Sequence, residues 1–196
     1  TMEEIPECDG FIGGPPCQGF SVAGKRIIED KRNELYKSFV RFVECFHPKS
    51  FVMENVPNIL SIGGGMVKDS IVKDFEKIGY KVNVKVLTAS DYGVPQNRRR
   101  AIFVGFANGV DFEFPQPFKT EKVTSSEALG DLTEESIPDG GAYPNEATCD
   151  YQRYARNGSK GVFNHQITIH NEKTKKIIAM VPDGGNYKDL PVELQQ

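Results

Sequence analysis

Cys8-Asp9-Gly10-Phe11-Ile12-Gly13-Gly14-Pro15-Pro16-Cys17-Gln18 reads as a short apolar strand that runs into a turn stiffened by two prolines. A polar, glycine-containing loop carries on to about Arg32. Leu35, Phe39, Phe42, Val43 and Phe46 then recur at helical spacing, with Asn33 in the N-cap position and Pro48 beyond the end. Ser50 to Met53 is short and apolar, the signature of a buried strand, and it ends at Glu54-Asn55. Strands alternating with helices predict an α/β sheet with parallel strands.

Further along, Gly63-Gly64-Gly65 breaks the chain ahead of a second helix marked by Val67, Ile71, Phe75 and Ile78 and closed by Gly79. Tyr80 to Thr88 alternates through Val82, Val84 and Val86 and reads as a strand, as does Ala101 to Phe106. The linker between them, Ala89 to Arg100, is too short for a crossover helix, so these two strands are expected to be antiparallel neighbours. After Ala107, proline, glycine and acidic residues become frequent. Short helices are expected near Ser125 to Leu132 and near Glu172 to Val181. Residues 1–107 are expected to form one sheet domain and residues 108–196 a partly irregular extension.

The bulk numbers set limits. With 196 residues, 38% hydrophobic and 26% charged, the chain can bury one real core. No apolar run approaches a membrane span and the first residues lack a signal-peptide pattern, so cytoplasm is the default expectation. The four cysteines include no CxxC pair, which suggests neither a zinc site nor a disulfide framework. A net charge of −3 is not the overall footprint of a nucleic-acid binder. Phosphate contacts need only a basic face, however. Lys25-Arg26, Lys31-Arg32, Arg98-Arg99-Arg100 and the Lys173 to Lys176 stretch supply local positive charge. The lysine clusters read as solvated surface.

In open α/β sheets, ligands bind beyond the carboxyl ends of the strands. That rule selects the Pro15-Pro16-Cys17-Gln18 loop, the Glu54-Asn55-Val56 strand end and the Gln96 to Arg100 segment. Together they offer a thiol, a carboxylate and guanidinium groups at one rim. Cys17 follows two prolines that restrict its backbone, and nearby cations would favour its thiolate. It reads as a nucleophile or as a small buried cysteine; Cys8 and Cys45 take the second reading, Cys45 on the apolar helix face. Glu54 ends an apolar strand, where a carboxylate is costly to bury without purpose. It reads as a functional group, as a helix N-terminal charge or as the salt-bridge partner of a loop arginine. Strand periodicity puts Arg98 and Arg100 on one face and turns Arg99 away.

These residues resemble the DNA (cytosine-5)-methyltransferase family, bacterial type. The resemblance rests on Gly13-Gly14-Pro15-Pro16-Cys17-Gln18-Gly19-Phe20-Ser21, Glu54-Asn55-Val56 and Gln96-Asn97-Arg98-Arg99-Arg100, in that order and spacing. Asp30 to Tyr36 and Asp91-Tyr92-Gly93-Val94-Pro95 add to it. Asn164-His165 and Pro182 to Pro191 look like the segment around the start of target recognition, so residues 108–196 are expected to hold a linker and the beginning of that region.

The resemblance implies a Rossmann-like, S-adenosylmethionine-dependent methyltransferase sheet. Cys17 would add to carbon 6 of a flipped cytosine, and carbon 5 would accept the methyl group. Glu54 would hydrogen-bond the exocyclic amine and N3, stabilising the charge that builds there. Arg100 would hold O2, and Arg98 would support the nucleophile loop or the DNA. Gln18, Ser21 and Asn55 would contact the base or the DNA around it. Pro16 and Leu35 would contact S-adenosyl-L-methionine; no metal is implied.

The family's opening strand and its Phe-x-Gly-x-Gly cofactor loop have no counterpart in the sequence. The sheet is therefore expected to be incomplete, with its N-terminal cofactor-binding strands missing and an irregular C-terminal extension. A chain so built is expected to bind the cofactor poorly and to turn over slowly. An exposed sheet edge is also expected, with an N-terminal half from another polypeptide as a candidate partner beside double-stranded DNA. A role in restriction–modification is the default for a bacterial member. A tRNA cytosine-5 methyltransferase on the same fold and a non-catalytic DNA-binding subunit are the competing readings.

Overall fold

The computed structural model of the chain describes residues 6–16, 35–182 and 185–195. Two compact units emerge, Thr1–Ser125 and Ser126–Gln196.

In the first unit a four-stranded sheet is backed by two helices. Strand β1 (Gly10–Gly13) leads to helix α1 (Leu35–Phe46) and strand β2 (Ser50–Asn55). Two short 3-10 turns precede helix α2 (Met66–Lys77), which is followed by β3 (Tyr80–Thr88), another 3-10 turn (Ala89–Tyr92) and β4 (Arg99–Ala107). The expected helix starts, the strand 80–88 and the antiparallel pairing of the last two strands are all present. Asn33, the expected N-cap of α1, lies outside the described residues.

The strand order is β1-β2-β4-β3. β1 pairs in parallel with β2, and β4 runs antiparallel to both of its neighbours. β1, β2 and β3 therefore share one direction, as strands alternating with helices predict, while β4 inserts between β2 and β3. It begins two residues earlier than its apolar run, because Arg99 and Arg100 pair with Thr88 and Leu87.

The core lies between one sheet face and the two helices. Phe51 and Met53 of β2, and Ala101 and Phe103 of β4, alternate onto that face and are almost fully buried. Tyr36, Val40 and Val43 of α1 and Ile71 and Phe75 of α2 cover them. The Phe51 and Phe75 rings stack with centroids 4.0 Å apart, and the buried Tyr80 hydroxyl donates to the Pro48 carbonyl at 2.6 Å. Gly13 allows α1 its close approach: a Cβ there would stand 2.5 Å from the Phe39 ring. Cys45, expected on the buried face of α1, is exposed, since the helix turns Tyr36, Val40 and Val43 inward instead. Cys8 is exposed as well, in the stretch ahead of β1. β1 and β3 are the outer strands, and Ile12 on β1 is 86% exposed.

The second unit has a small apolar interior, with Val162 and Leu190 buried, and relies on buried polar groups. Helix α3 (Ser125–Leu129) and helix α5 (Glu172–Ala179) lie where short helices are expected, each somewhat shorter. Helix α4 (Asp150–Arg156) is an addition. Its buried residue is Gln152, which donates to the Glu127 carbonyl at 2.6 Å and accepts from the Thr148 amide at 2.6 Å. A helix whose inward residue is polar carries no hydrophobic period to read. Arg156 pairs with the buried Asp131, donates to the Asn145 carbonyl and lies 3.9 Å from the Tyr143 ring centre. Among the described residues no helix is long and apolar enough to cross a membrane.

Candidate active site

Glu54 and Asn55 are neighbours on β2 that point to opposite faces. Asn55 follows Phe51 and Met53 inward and is 3% exposed. Its Nδ2 donates to the Pro15 carbonyl at 3.0 Å, and its Oδ1 accepts from the Val56 amide at 2.9 Å. The side chain expected to contact the base thus spends both ends of its amide inside the protein. It ties the end of β2 to the segment that runs into Cys17.

Glu54 points to the other face, where β4 brings up its arginines. Glu54 pairs with Ile102 in the antiparallel register, and Arg100 and Arg98 follow on the same side of the chain at two-residue intervals. Arg100 Nε donates to Glu54 Oε1 at 2.7 Å, and Arg98 Nη2 lies 3.7 Å from the same oxygen. Arg100 Nη1 also donates to the Arg99 carbonyl at 2.7 Å, which fixes the guanidinium plane. Arg99 itself is exposed. The other carboxylate oxygen, Oε2, lies 3.6 Å from where a Cβ on Gly14 would stand, beside the turn after β1.

The carboxylate therefore sits between two cations on one side and the loop entrance on the other. Its side chain keeps 40% of its exposure, against 26% for Arg100 and 49% for Arg98. A pair this open contributes about 1 kcal/mol or less to stability. Its value lies in preorganisation: the arginines hold the carboxylate aimed, with lone pairs left over for a ligand.

Of the other sequence-selected residues, Pro16 is exposed where the described part of the loop ends, and Leu35 is 39% exposed at the first residue of α1. Both present apolar surface to solvent. Cys17, Gln18 and Ser21 lie outside the described residues, as do Lys25-Arg26 and Lys31-Arg32. The burial of Asn55 was readable in principle, since a period of two from Phe51 and Met53 already places it inside.

The model of the family "C-5 cytosine-specific DNA methylase" matches residues 1–190. Among curated proteins, the type II methyltransferase M.DdeI of Desulfomicrobium norvegicum is 40% identical over 204 residues, covering 98% of this chain and 49% of its own length. M1.HphI of Haemophilus parahaemolyticus, also a type II methyltransferase, is 38% identical over 190 residues, covering 95% of this chain and 46% of its own length. The chain thus spans about half the length of these relatives. Among solved structures, one described as a prophage-encoded DNA modification methyltransferase from E. coli superposes with a TM-score of 0.52 at 32% identity, over 70% of this chain and 37% of that one. The methyltransferase EhMeth of Entamoeba histolytica gives a TM-score of 0.51 at 22% identity over 70% of this chain and 47% of its own, a likeness of fold.

Proposed function

The chain belongs to the C-5 cytosine-specific DNA methylase family, and from that premise we propose that it carries the nucleophile and the base-holding residues of a DNA (cytosine-5)-methyltransferase of the restriction–modification type. The observation that carries this reading is the Glu54 carboxylate, gripped by Arg100 and flanked by Arg98 beside the turn that leads to Cys17.

Carbon 5 of cytosine is a weak nucleophile within an aromatic ring. Addition of the Cys17 thiolate to carbon 6 forms an S–C bond, breaks the aromatic system and makes carbon 5 enamine-like. Negative charge moves toward N3 and O2 as this happens. Glu54 hydrogen-bonds the exocyclic amine and N3, and Arg100 meets the charge at O2. Arg98 keeps Glu54 from turning away. Asn55 holds the Pro15 carbonyl, two residues before Cys17 in the sequence. S-adenosylmethionine, when bound, supplies the methyl group, and among the described residues Pro16 and Leu35 would contact it. Transfer of the carbon 5 proton to solvent water then re-forms the carbon 5–carbon 6 double bond, breaks the S–C bond and releases the Cys17 thiolate. A base inside a duplex is out of reach of these groups, so the cytosine must be flipped out, at a cost of a few kcal/mol.

The test is covalent trapping. The chain is mixed with S-adenosylmethionine and a duplex containing 5-fluorocytosine, alone and with an N-terminal half from a relative. Fluorine does not leave as a proton does, so a competent Cys17 stays attached to the base. A denaturation-resistant adduct that disappears in Cys17→Ser supports the reading. No adduct in either condition, across duplexes of varied sequence, sinks it, and an adduct formed only with RNA redirects it to a tRNA substrate.

A further inference from the structure

The connection from β3 to β4 is ten residues long, 89–98, far longer than the two to five residues of an ordinary hairpin. It is closed by the Ala89 amide donating to the Arg98 carbonyl at 2.8 Å. The Arg98 amide in turn donates to the Gln96 carbonyl at 2.8 Å. The conformation of this connection therefore decides where Arg98 starts and how β4 presents Arg100. A connection of this length with little apolar burial of its own drifts unless something outside it holds it.

Residues 115–125, beyond β4, supply that hold. The Phe118 amide donates to the Asp91 carbonyl at 2.8 Å. Tyr92 donates from its hydroxyl to the Pro115 carbonyl at 3.1 Å. The Phe118 ring meets the Tyr92 ring edge to face, with centroids 6.2 Å apart. The same ring lies close enough to Gly93 that a Cβ there would stand 3.3 Å from it, and Gly93 has φ +81. Lys122 Nζ lies 2.6 Å from Asp91 Oδ1, and Ser125 Oγ reaches the Pro95 carbonyl at 3.5 Å. Four of the five residues in Asp91-Tyr92-Gly93-Val94-Pro95 are thus touched from one segment. Hydrogen bonds, a ring contact and an ion pair converge there. The Asp91-Tyr92-Gly93 motif has no other part in the proposed chemistry.

We propose that residues 115–125 are a strap that locks the 89–98 connection and so sets the Arg98–Glu54–Arg100 clamp, with Phe118 and Lys122 as positioning residues. The catalytic meaning of this rests on the methyltransferase reading; the mechanical claim does not. Phe118 is 60% exposed and the Lys122 side chain 58% exposed, so neither is a core residue whose loss would unfold the unit. A side chain that sits on the surface yet fixes a loop acts on geometry more than on global stability.

The experiment reads the clamp directly. Arginine side-chain Nε–H correlations are recorded by 15N NMR on the chain and on Phe118→Ala, Lys122→Ala and the charge exchange Asp91→Lys with Lys122→Asp. In the wild type, Arg100 Nε–H, bonded to Glu54, is expected to give a distinct signal protected from solvent exchange. Phe118→Ala and Lys122→Ala are expected to lose that protection while their thermal midpoints stay close to wild type, and the charge exchange is expected to restore what Lys122→Ala loses. An unchanged Arg100 signal in both single variants overturns the proposal, as does a fall in midpoint with the signal intact in the folded fraction. In parallel, methyl transfer is followed at steady state on ordinary cytosine-containing duplex DNA, with the same added N-terminal half. A drop in kcat of roughly tenfold or more with KM for DNA unchanged is the expected result, because misplacement by about 1 Å is costly to an oriented group. Wild-type protein that shows the NMR behaviour but forms no adduct separates failure of the methyltransferase reading from failure of the strap.

Discussion

The carboxamide of Asn55 reaches from the inner face of β2 to the Pro15 carbonyl, 3.0 Å away, joining the strand that carries Glu54 to the segment that precedes Cys17. Two chemical groups with different tasks are thereby held by one buried amide.

Asn55→Ala should leave the Pro15 carbonyl and the Val56 amide without their partner and cost about 1–3 kcal/mol. Asn55→Asp keeps the acceptor for Val56 but loses the donor to Pro15, so it should be about as damaging to adduct formation as alanine. Urea unfolding and the rate of 5-fluorocytosine trapping measure the two effects. A fast-trapping Asn55→Asp would detach the tether from catalysis.

Glu54→Gln preserves shape and removes charge. Trapping and methyl transfer should slow by about a hundred- to a thousandfold, the scale of losing one preorganised electrostatic partner. Stability should move by about 1 kcal/mol or less, since the carboxylate is well exposed to solvent. Single-turnover rates set against urea midpoints test this, and a large stability loss with little change in rate would assign Glu54 a structural role.

Gly13→Ala puts a methyl group where the Phe39 ring now lies. α1 must shift, or Phe39 must leave its rotamer, at about 1–3 kcal/mol. Adding Phe39→Leu to Gly13→Ala should recover part of that loss. Two costs that simply sum in thermal unfolding would mean the two residues do not meet.

The α1–α2 contact should show itself in pH. Tyr36 donates to Asp74 Oδ2 at 3.0 Å, and Lys77 donates to Oδ1 at 2.9 Å. Burial pushes the Tyr36 hydroxyl above its usual 10.0, and Asp74 adds to that push. Burial also works to raise Asp74, but the hydrogen bonds from Lys77 and Tyr36 outweigh it and hold the carboxyl below 3.8. The neutral phenol is thus favoured by folding, and its contribution is complete below pH 10.0 and fades as pH climbs through the raised value. The ionised Asp74 contributes above pH 3.8 and fades as pH falls through the lowered one. Asp74→Asn should flatten the acid limb of the stability–pH curve and Tyr36→Phe the alkaline limb. Urea midpoints between pH 2 and pH 11 would show limbs unchanged in the variants if the contact is idle.

In the second unit, Asp131→Ala would strand the partly buried Arg156 guanidinium. A loss of about 3–5 kcal/mol, typical for breaking a buried pair from one side, is expected to appear as faster amide exchange across α4. Exchange in α4 at the wild-type rate would show that Asn145 and Tyr143 suffice to hold Arg156.

Much of the first unit was legible in the sequence because its signals are periodic. The spacing of Leu35, Phe39 and Val43 marks α1, and the alternation of valines bounds β3 at the residues observed. Strand order was not legible, since inserting β4 between β2 and β3 depends on pairings between residues some fifty positions apart, such as Ser50 with Phe106. The Arg98–Arg100 pairing on one face follows from strand periodicity, and both reach Glu54. The burial of Asn55 follows from the period of two that carries Phe51 and Met53 inward, whereas its bond to the Pro15 carbonyl joins residues forty positions apart and leaves no local signal. Gln152 and Asp131 hold the second unit with polar groups, a pattern that hydropathy does not register.

Placing β4 in the middle of the sheet also dictates an order of assembly. β3 has no bond to β2, so it joins the sheet only through β4, the last of the four strands to leave the ribosome. Until residues 99–107 emerge, β2 waits with one edge open and β3 waits with no partner. The local β3–β4 hairpin is the cheaper closure in chain entropy and should form before it docks on β2. The arginine clamp on Glu54 forms in that same docking step, so the core closes and the proposed chemistry is armed together.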